Sequence, residues 1–138
     1  MQKRINKTKE DVAVDIAKKE AAKIQRELAK RIFKIIEKVD TIYEAQTVVN
    51  ALSGYIKYEV QIKNSEIKLN DLLIDITKEK DTKLKTAIDE LKTEFQNETA
   101  LDLANFLELF GRQLSNYGAN EFLKKPMSDL TEKEFIAE

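Results

Sequence analysis

Apolar residues recur every three or four positions along the first forty residues, which is the period of an α-helix that buries one face. Thr8 and Asp11 stand at the spacing of an N-terminal capping box, and neither Gly nor Pro interrupts 9–40. The pattern therefore predicts one long amphipathic helix over 9–40. Its apolar positions are Val14, Ala17, Ala21, Ile24, Leu28, Ile32, Ile35 and Val39.

The helical period resumes over 42–53, but two structures fit the segment that follows Gly54. In the first, the helix continues through Val60. In the second, the strict alternation of apolar and polar residues over 56–63 forms a strand, and a small β-hairpin spans about 55–70. A lone two-stranded hairpin is marginal unless it packs on helices. The helix is therefore preferred, and the hairpin stays open as the alternative.

Three further segments carry the helical period in the second half of the chain, over 69–76, 84–97 and 100–116. The segment over 100–116 is apolar around nearly its whole circumference, so we expect it to be the central helix of the domain. Gly118 follows it and is expected to end the helix in a left-handed backbone conformation.

The last twenty residues differ from the rest, because Pro126 breaks any helix there. Thr131 and Glu134 form a further capping box, yet only a few residues follow it. A helix that short is unstable alone, so it must dock on the domain or on a partner. We therefore predict a helical domain over 1–118 and a C-terminal tail with a short capped helix over 119–138.

Together these patterns predict a mainly α protein, a single compact domain of four to five helices with a long N-terminal amphipathic helix. The alternative is an α+β fold with the hairpin. The 138 residues, 42% apolar and 36% charged, suit one globular domain with one core. Neither a membrane-spanning stretch nor a signal-peptide pattern appears in the sequence, so a cytoplasmic location is expected.

The composition argues against most catalytic chemistry. The chain contains neither His nor Cys, so the usual neutral-pH base, a thiolate nucleophile and cysteine-based zinc sites are excluded. Its three Gly stand alone, so no glycine-rich phosphate loop is present. Asp71 and Asp75 are spaced to hold Mg²⁺ on a helix, but such pairs commonly serve helix solubility. We expect no enzyme activity, no cofactor and no metal site.

Charge is distributed unevenly along the chain. Residues 1–40 hold 12 basic and 7 acidic groups, whereas 41–111 hold 8 and 13. A row of basic residues, called here the basic stripe, follows one face of the first helix opposite its apolar positions. It consists of Lys19, Lys23, Arg26, Lys30, Lys34 and Lys38. Such a row can meet an acidic protein surface, nucleic-acid phosphates or anionic lipid, although Glu20 and Glu27 dilute it as on an ordinary solvated face.

The predicted function is a non-enzymatic protein–protein interaction module, such as an adaptor, inhibitor or assembly factor, that occupies a partner's surface. We expect a protein partner with an acidic surface that meets the basic stripe. The tail offers a second set of candidate partner-binding residues. They are Phe122, Leu123, Leu130 and Phe135. The excess of Lys over Arg is typical of an AT-rich genome, and a phage or mobile element is the expected source.

Two alternatives stay open. The basic stripe can bind nucleic acid, although the chain is slightly acidic and has few of the Arg residues that read bases. The long helix can also pair with a second copy as a coiled coil, which would make the protein a structural oligomer or a homodimer. No membrane partner is expected.

Overall fold

The computed structural model describes residues 9–60, 66–74, 76, 79–120 and 122–136. These residues form five α-helices and two short 3₁₀ turns, at Leu69–Asp71 and Met127–Asp129, without any β-strand. The mainly α fold predicted from the sequence is confirmed. The helices are α1 (Lys9–Ile36), α2 (Ile42–Val60), α3 (Thr82–Glu94), α4 (Ala100–Ser115) and α5 (Glu132–Phe135).

The antiparallel pair of α2 and α4 forms the centre of the molecule. The Ser53 hydroxyl, which is buried, donates a hydrogen bond of 2.8 Å to the Ala104 carbonyl. At the other end of the pair the Gln46 amide donates to the Gly111 carbonyl at 2.9 Å. A side chain at Gly111 would overlap Asn50, so this glycine lets the two helices approach closely.

The C-terminal half of α1 packs on this centre and on α3. Ile32, Phe33 and Ile36 are almost fully buried there. Arg31 reaches α3, where its guanidinium donates to the Glu94 carboxylate at 2.8 Å and lies 4.4 Å from the centre of the Phe95 ring. The helix ends at Ile36, earlier than the sequence pattern suggests, because the chain turns over 37–41 to enter α2.

The β-hairpin alternative over 55–70 is wrong. Helix α2 continues through Val60, and Ile56 and Val60 are buried one helical turn apart while Tyr58 is exposed. Lys68 pairs instead with Thr99 in an isolated β-bridge. The helix forms here because the helical period places Ile56 and Val60 together in the common core.

The helix predicted over 69–76 is also wrong. A single 3₁₀ turn at Leu69–Asp71 is followed by extended chain, in which Leu72 and Ile74 are buried while Leu73 is 84% exposed. That alternation is the period of extended chain. The consecutive Leu72 and Leu73 concealed it in the sequence. Asp71 therefore does not lie on a helix with Asp75, which falls outside the described residues.

Helices α3 and α4 begin and end much as their patterns predict. The Asp81 carboxylate caps α3 by accepting hydrogen bonds from the backbone N–H groups of Lys83 and Leu84, at 2.9 and 3.3 Å. Gly118, after α4, adopts the left-handed conformation expected of it, with φ at +92°. One side of α4 is buried, but Leu109 is half-exposed, so the helix is less enclosed than its composition suggests.

The C-terminal tail folds back onto the helices. The Phe135 ring lies among Phe33, Phe110 and Tyr117, with centroid distances of 6.0, 4.9 and 5.3 Å. The Thr131 hydroxyl accepts a hydrogen bond from the Glu134 N–H at 3.1 Å, as the capping box predicts. Aromatic side chains dominate the energetics of such clusters, so the tail contributes directly to the core.

Two of the four tail residues predicted to bind a partner lie inside this core. Leu130 and Phe135 are 5% and 7% exposed. They bury their side chains against this chain itself and offer no surface to another protein. Phe122 and Leu123 differ, because both side chains are exposed.

Candidate functional site

The apolar face of α1 runs past the core into a part of the helix that the other described residues leave uncovered. Ile32 is fully buried and Leu28 is partly buried against the core, whereas no side chain over 12–27 is buried. We call residues 12–27 the α1 arm. At about 1.5 Å per residue the arm is roughly 24 Å long.

One face of the α1 arm is apolar. Val14, Ala17, Ala21 and Ile24 follow steps of three, four and three, so they share one face of the helix. Val14 is half-exposed and Ile24 is 57% exposed. The face continues directly into Leu28 and the core. A contiguous exposed apolar surface of this kind marks a contact site in a folded protein.

A shallow groove of about 340 Å³ lies at the base of the α1 arm, between α1 and α4. Ala22 and Ala29 line its α1 side, and Phe106 and Leu109 line its α4 side. Leu109 is 52% exposed within it. The groove thus extends the exposed apolar surface from the arm to the domain. The sequence contains one indication of the α4 wall, because apolar residues occur around nearly the whole circumference of that helix.

The basic stripe is split between two environments. Lys19 and Lys23 are exposed on the α1 arm, and Arg26 is half-buried at the rim of the groove. Lys34 is exposed and Lys30 half-buried on the packed half of the helix. Lys38, in the turn that follows α1, forms an ion pair with Glu90 of α3 at 3.1 Å. The stripe is therefore not one uniform surface, and Lys38 already has an acidic neighbour.

No family model, no curated protein and no solved structure matches this chain.

A second groove, polar in character, lies between α2 and α4. Lys57 and Glu108 form an ion pair across it, and Arg112 donates to the same carboxylate at 2.9 Å. The hydrogen bond from Lys57, followed by its positive charge, lowers the pKa of Glu108 below its ordinary value. The carboxylate is thus held in its charged form with basic neighbours, which is the arrangement of a surface ion pair.

The described residues contain no group of three or more acidic side chains arranged to hold a metal ion. Nor does any helix in the described ranges have the length and apolar character needed to cross a bilayer. The exposed apolar face of the α1 arm, the groove at its base and the exposed part of the basic stripe form the candidate functional site.

Proposed function

We propose that this protein is a non-enzymatic interaction module that binds another protein through the α1 arm and the groove at its base. The observation that carries the proposal is the apolar face of α1, which continues as far as Val14, roughly 21 Å beyond Leu28, the last residue of that face that packs on the core. Among the residues that the structure describes, none buries that face. A partner that covers it gains the free energy of burying apolar surface.

The geometry suits recognition of a helix in a groove. In that mode an amphipathic helix inserts residues spaced by three and four positions into an apolar groove of its partner. Val14 and Ile24 are the large anchors near the two ends of the arm, and Ala17 and Ala21 lie between them. Because these alanines are small, a partner's backbone can approach the middle of the arm closely.

The charge of the α1 arm defines the rim of the partner's groove. Lys18 flanks the apolar face and Arg26 lies at the rim of the groove at the base of the arm, so both can reach the border of the partner. Lys19 and Lys23 lie on the side of the helix opposite the apolar face, where they add positive potential without direct contact. Acidic residues at the rim of the partner would attract these cations, speed the encounter and fix its orientation. The partner that fits is a protein with an apolar groove and an acidic border.

A photo-crosslinking residue placed at Ala21 is the first step of the experiment, with the same residue at Leu73 as the matched control. Both side chains are exposed, but Leu73 lies in the extended chain after the 3₁₀ turn and not on the arm. In cells of the natural source, the Ala21 position should yield a discrete adduct that the Leu73 position does not. The protein identified in that adduct is then purified for titration.

Titration of the purified partner decides the proposal. Ile24→Asp, and separately the triple reversal of Lys19, Lys23 and Arg26 to Glu, should each weaken binding at least about tenfold, and the triple reversal should also flatten its salt dependence. The control reverses Lys68, Lys80 and Lys92 to Glu, which changes net charge equally at positions outside both the arm and the lining of the groove. Wild-type affinity in both arm variants, with helix content unchanged, would overturn the proposal.

Nucleic-acid binding is the second candidate class, favoured by the exposure of Lys19 and Lys23 on one face of the arm. A gel-shift series across salt concentration separates it from protein binding, because phosphate contacts fade steeply as salt rises. Retardation of DNA or RNA at low salt that the triple Glu variant abolishes would favour this class. Absence of retardation at low salt would dismiss it.

A further inference from the structure

The turn that follows α4 presents two large apolar side chains to solvent. Phe122 is 92% exposed and Leu123 is 71% exposed. The Asn120 side chain accepts hydrogen bonds from both of their backbone N–H groups, at 2.8 and 3.4 Å. Lys124 then takes a left-handed conformation, with φ at +47°, which is uncommon for a residue with a side chain. We call Phe122 and Leu123 the apolar knob.

The chain beyond the apolar knob is fixed to the loop between α1 and α2. The Ile42 N–H donates to the Lys125 carbonyl at 3.0 Å, and the Met127 N–H donates to the Asp40 carbonyl at 2.9 Å. Thr41 and Pro126 form a β-bridge at the same place. The knob therefore stands on an anchored base, so little conformational entropy is lost when another molecule covers it.

A small apolar notch lies beside the same loop, between the C-terminal end of α1 and the start of α3. It has a volume of about 250 Å³, and Ile35, Val39 and Ala87 supply its apolar walls. Thr82 and Thr86 border its mouth. The notch and the base of the apolar knob thus share the end of the molecule where α1 turns into α2.

The charges at this end complement each other. Lys124 and Lys125 directly follow the apolar knob. Near the notch, Lys83 donates to the Asp40 carboxylate at 2.8 Å, and the pKa of Lys83 is raised mainly by that contact, with smaller contributions from Glu44 and Asp81. Lys38 and Glu90 also line the notch. Four carboxylates, on Asp40, Glu44, Asp81 and Glu90, therefore surround two lysines, which leaves an excess of negative charge at the notch for the lysines of the knob to meet.

We infer that this end of the molecule is a self-association surface, on which the apolar knob of one copy enters the notch of a second copy. A knob and a notch on one surface are what a two-fold contact requires, because each copy then donates and receives the same interaction. The α1 arm leaves the molecule at the opposite end of α1. A dimer formed in this way leaves both arms accessible and presents them as a pair.

Such a dimer would strengthen the binding of a partner that has two grooves, because the second arm binds at a raised effective concentration. The inference does not depend on the proposed function of the arm. It concerns different residues, and it is tested on the purified protein alone.

Sedimentation velocity from about 10 µM to about 1 mM tests the inference, since a contact this small is half-occupied in that range. Wild-type protein should shift from monomer to dimer as its concentration rises. The double variant Phe122→Ser, Leu123→Ser should stay monomeric at every concentration. Leu73→Ser is the matched control, because Leu73 is similarly exposed elsewhere, and it should dimerise like wild type.

Two further variants locate the contact. Thr86→Trp should fill the mouth of the notch and prevent dimerisation, whereas Ile24→Asp on the arm should leave it unchanged. A wild-type protein that stays monomeric throughout, or a double variant that dimerises as wild type does, would overturn the inference. Loss of dimer in Ile24→Asp with the dimer retained in the double variant would also overturn it, because self-association would then run through the arm.

Discussion

The two halves of α1 carry the same pattern of apolar residues in different surroundings. Over 28–36 the apolar face is packed against the core, and Ile32 is fully buried. Over 12–27 the same face continues without a break, yet Ile24 is more than half exposed. Hydrophobic periodicity therefore specifies a helix and its apolar face, but not how much of that face its own domain covers.

The difference also shows how the α1 arm stays helical. An isolated helix of 16 residues is marginal in water, because its first turn is costly to form. The packed half of α1 supplies that first turn, and the arm only extends it. Oppositely charged residues three or four positions apart, such as Glu20 with Lys23 and Lys23 with Glu27, add a few tenths of a kcal/mol each.

The largest expected effect comes from the same substitution made in each half. Ile32→Ala should lower the free energy of unfolding by about 2–5 kcal/mol, because it leaves a cavity in the core. Ile24→Ala should change it by less than about 0.5 kcal/mol, as exposed substitutions do. Urea denaturation of both variants measures the difference. Equal losses would mean that the arm is packed against the domain after all.

The next effect tests what holds the packed half in place. Phe135→Ala removes the ring that lies among Phe33, Phe110 and Tyr117, and should cost about 3 kcal/mol. Phe122→Ala is its matched control, since that ring is exposed and should cost almost nothing. The same denaturation assay applies. Little loss in Phe135→Ala would show that the tail is not part of the core.

A smaller effect is expected at Arg31, which binds α3 just beyond the boundary between the halves. Its guanidinium contacts Glu94 and the Phe95 ring, but the side chain is 37% exposed, so solvent screens the contact. Arg31→Ala should therefore cost about 1 kcal/mol. Lys23→Ala, on the arm, should cost at most a few tenths of a kcal/mol, because it removes the pairs with Glu20 and Glu27 while Ala has the higher helix propensity. Thermal unfolding of both variants measures the difference. Equal shifts in Tm would mean that the packed half and the arm are held in the same way.

The smallest effect is a pH dependence within the domain. Lys57 lowers the pKa of Glu108 below its ordinary value, so the ion pair stabilises the fold while Glu108 is charged and loses its contribution as pH falls through the lowered pKa. In Lys57→Met the ion pair is absent, so the free energy of unfolding should fall less as the pH is lowered. Denaturation midpoints between about pH 5 and pH 2 measure it. A steeper acid-side loss in the variant would contradict the assignment.

The helices that could be predicted are those with a single consistent period. Helices α1, α3 and α4 have that property, and α2 has it as far as Ser53. The sequence left the structure ambiguous after Gly54, where a strand-like alternation was present beside the helical period. It gave a wrong prediction over 69–76, where the adjacent apolar residues Leu72 and Leu73 fit a helix although the chain is extended. In both places the outcome depended on which neighbours cover the segment, and local sequence does not encode that.

The candidate site was predictable in part for the same reason. The basic stripe and the apolar face of the first helix follow from its period. The boundary at Leu28 depends on where α3 and α4 end in space, which no local pattern records. The tail shows this limit as well, because Phe122 and Phe135 have the same side chain and only the fold separates the exposed ring from the buried one.

Amide hydrogen exchange along α1 in the free protein, at a concentration where it is monomeric, tests the central claim most directly. If the α1 arm is uncovered, its amides over 12–27 open locally and should exchange at least about a hundredfold faster than those over 29–36, which open only with the core. Equal, slow exchange along both halves of the helix would contradict the account, because the arm would then be covered by its own domain.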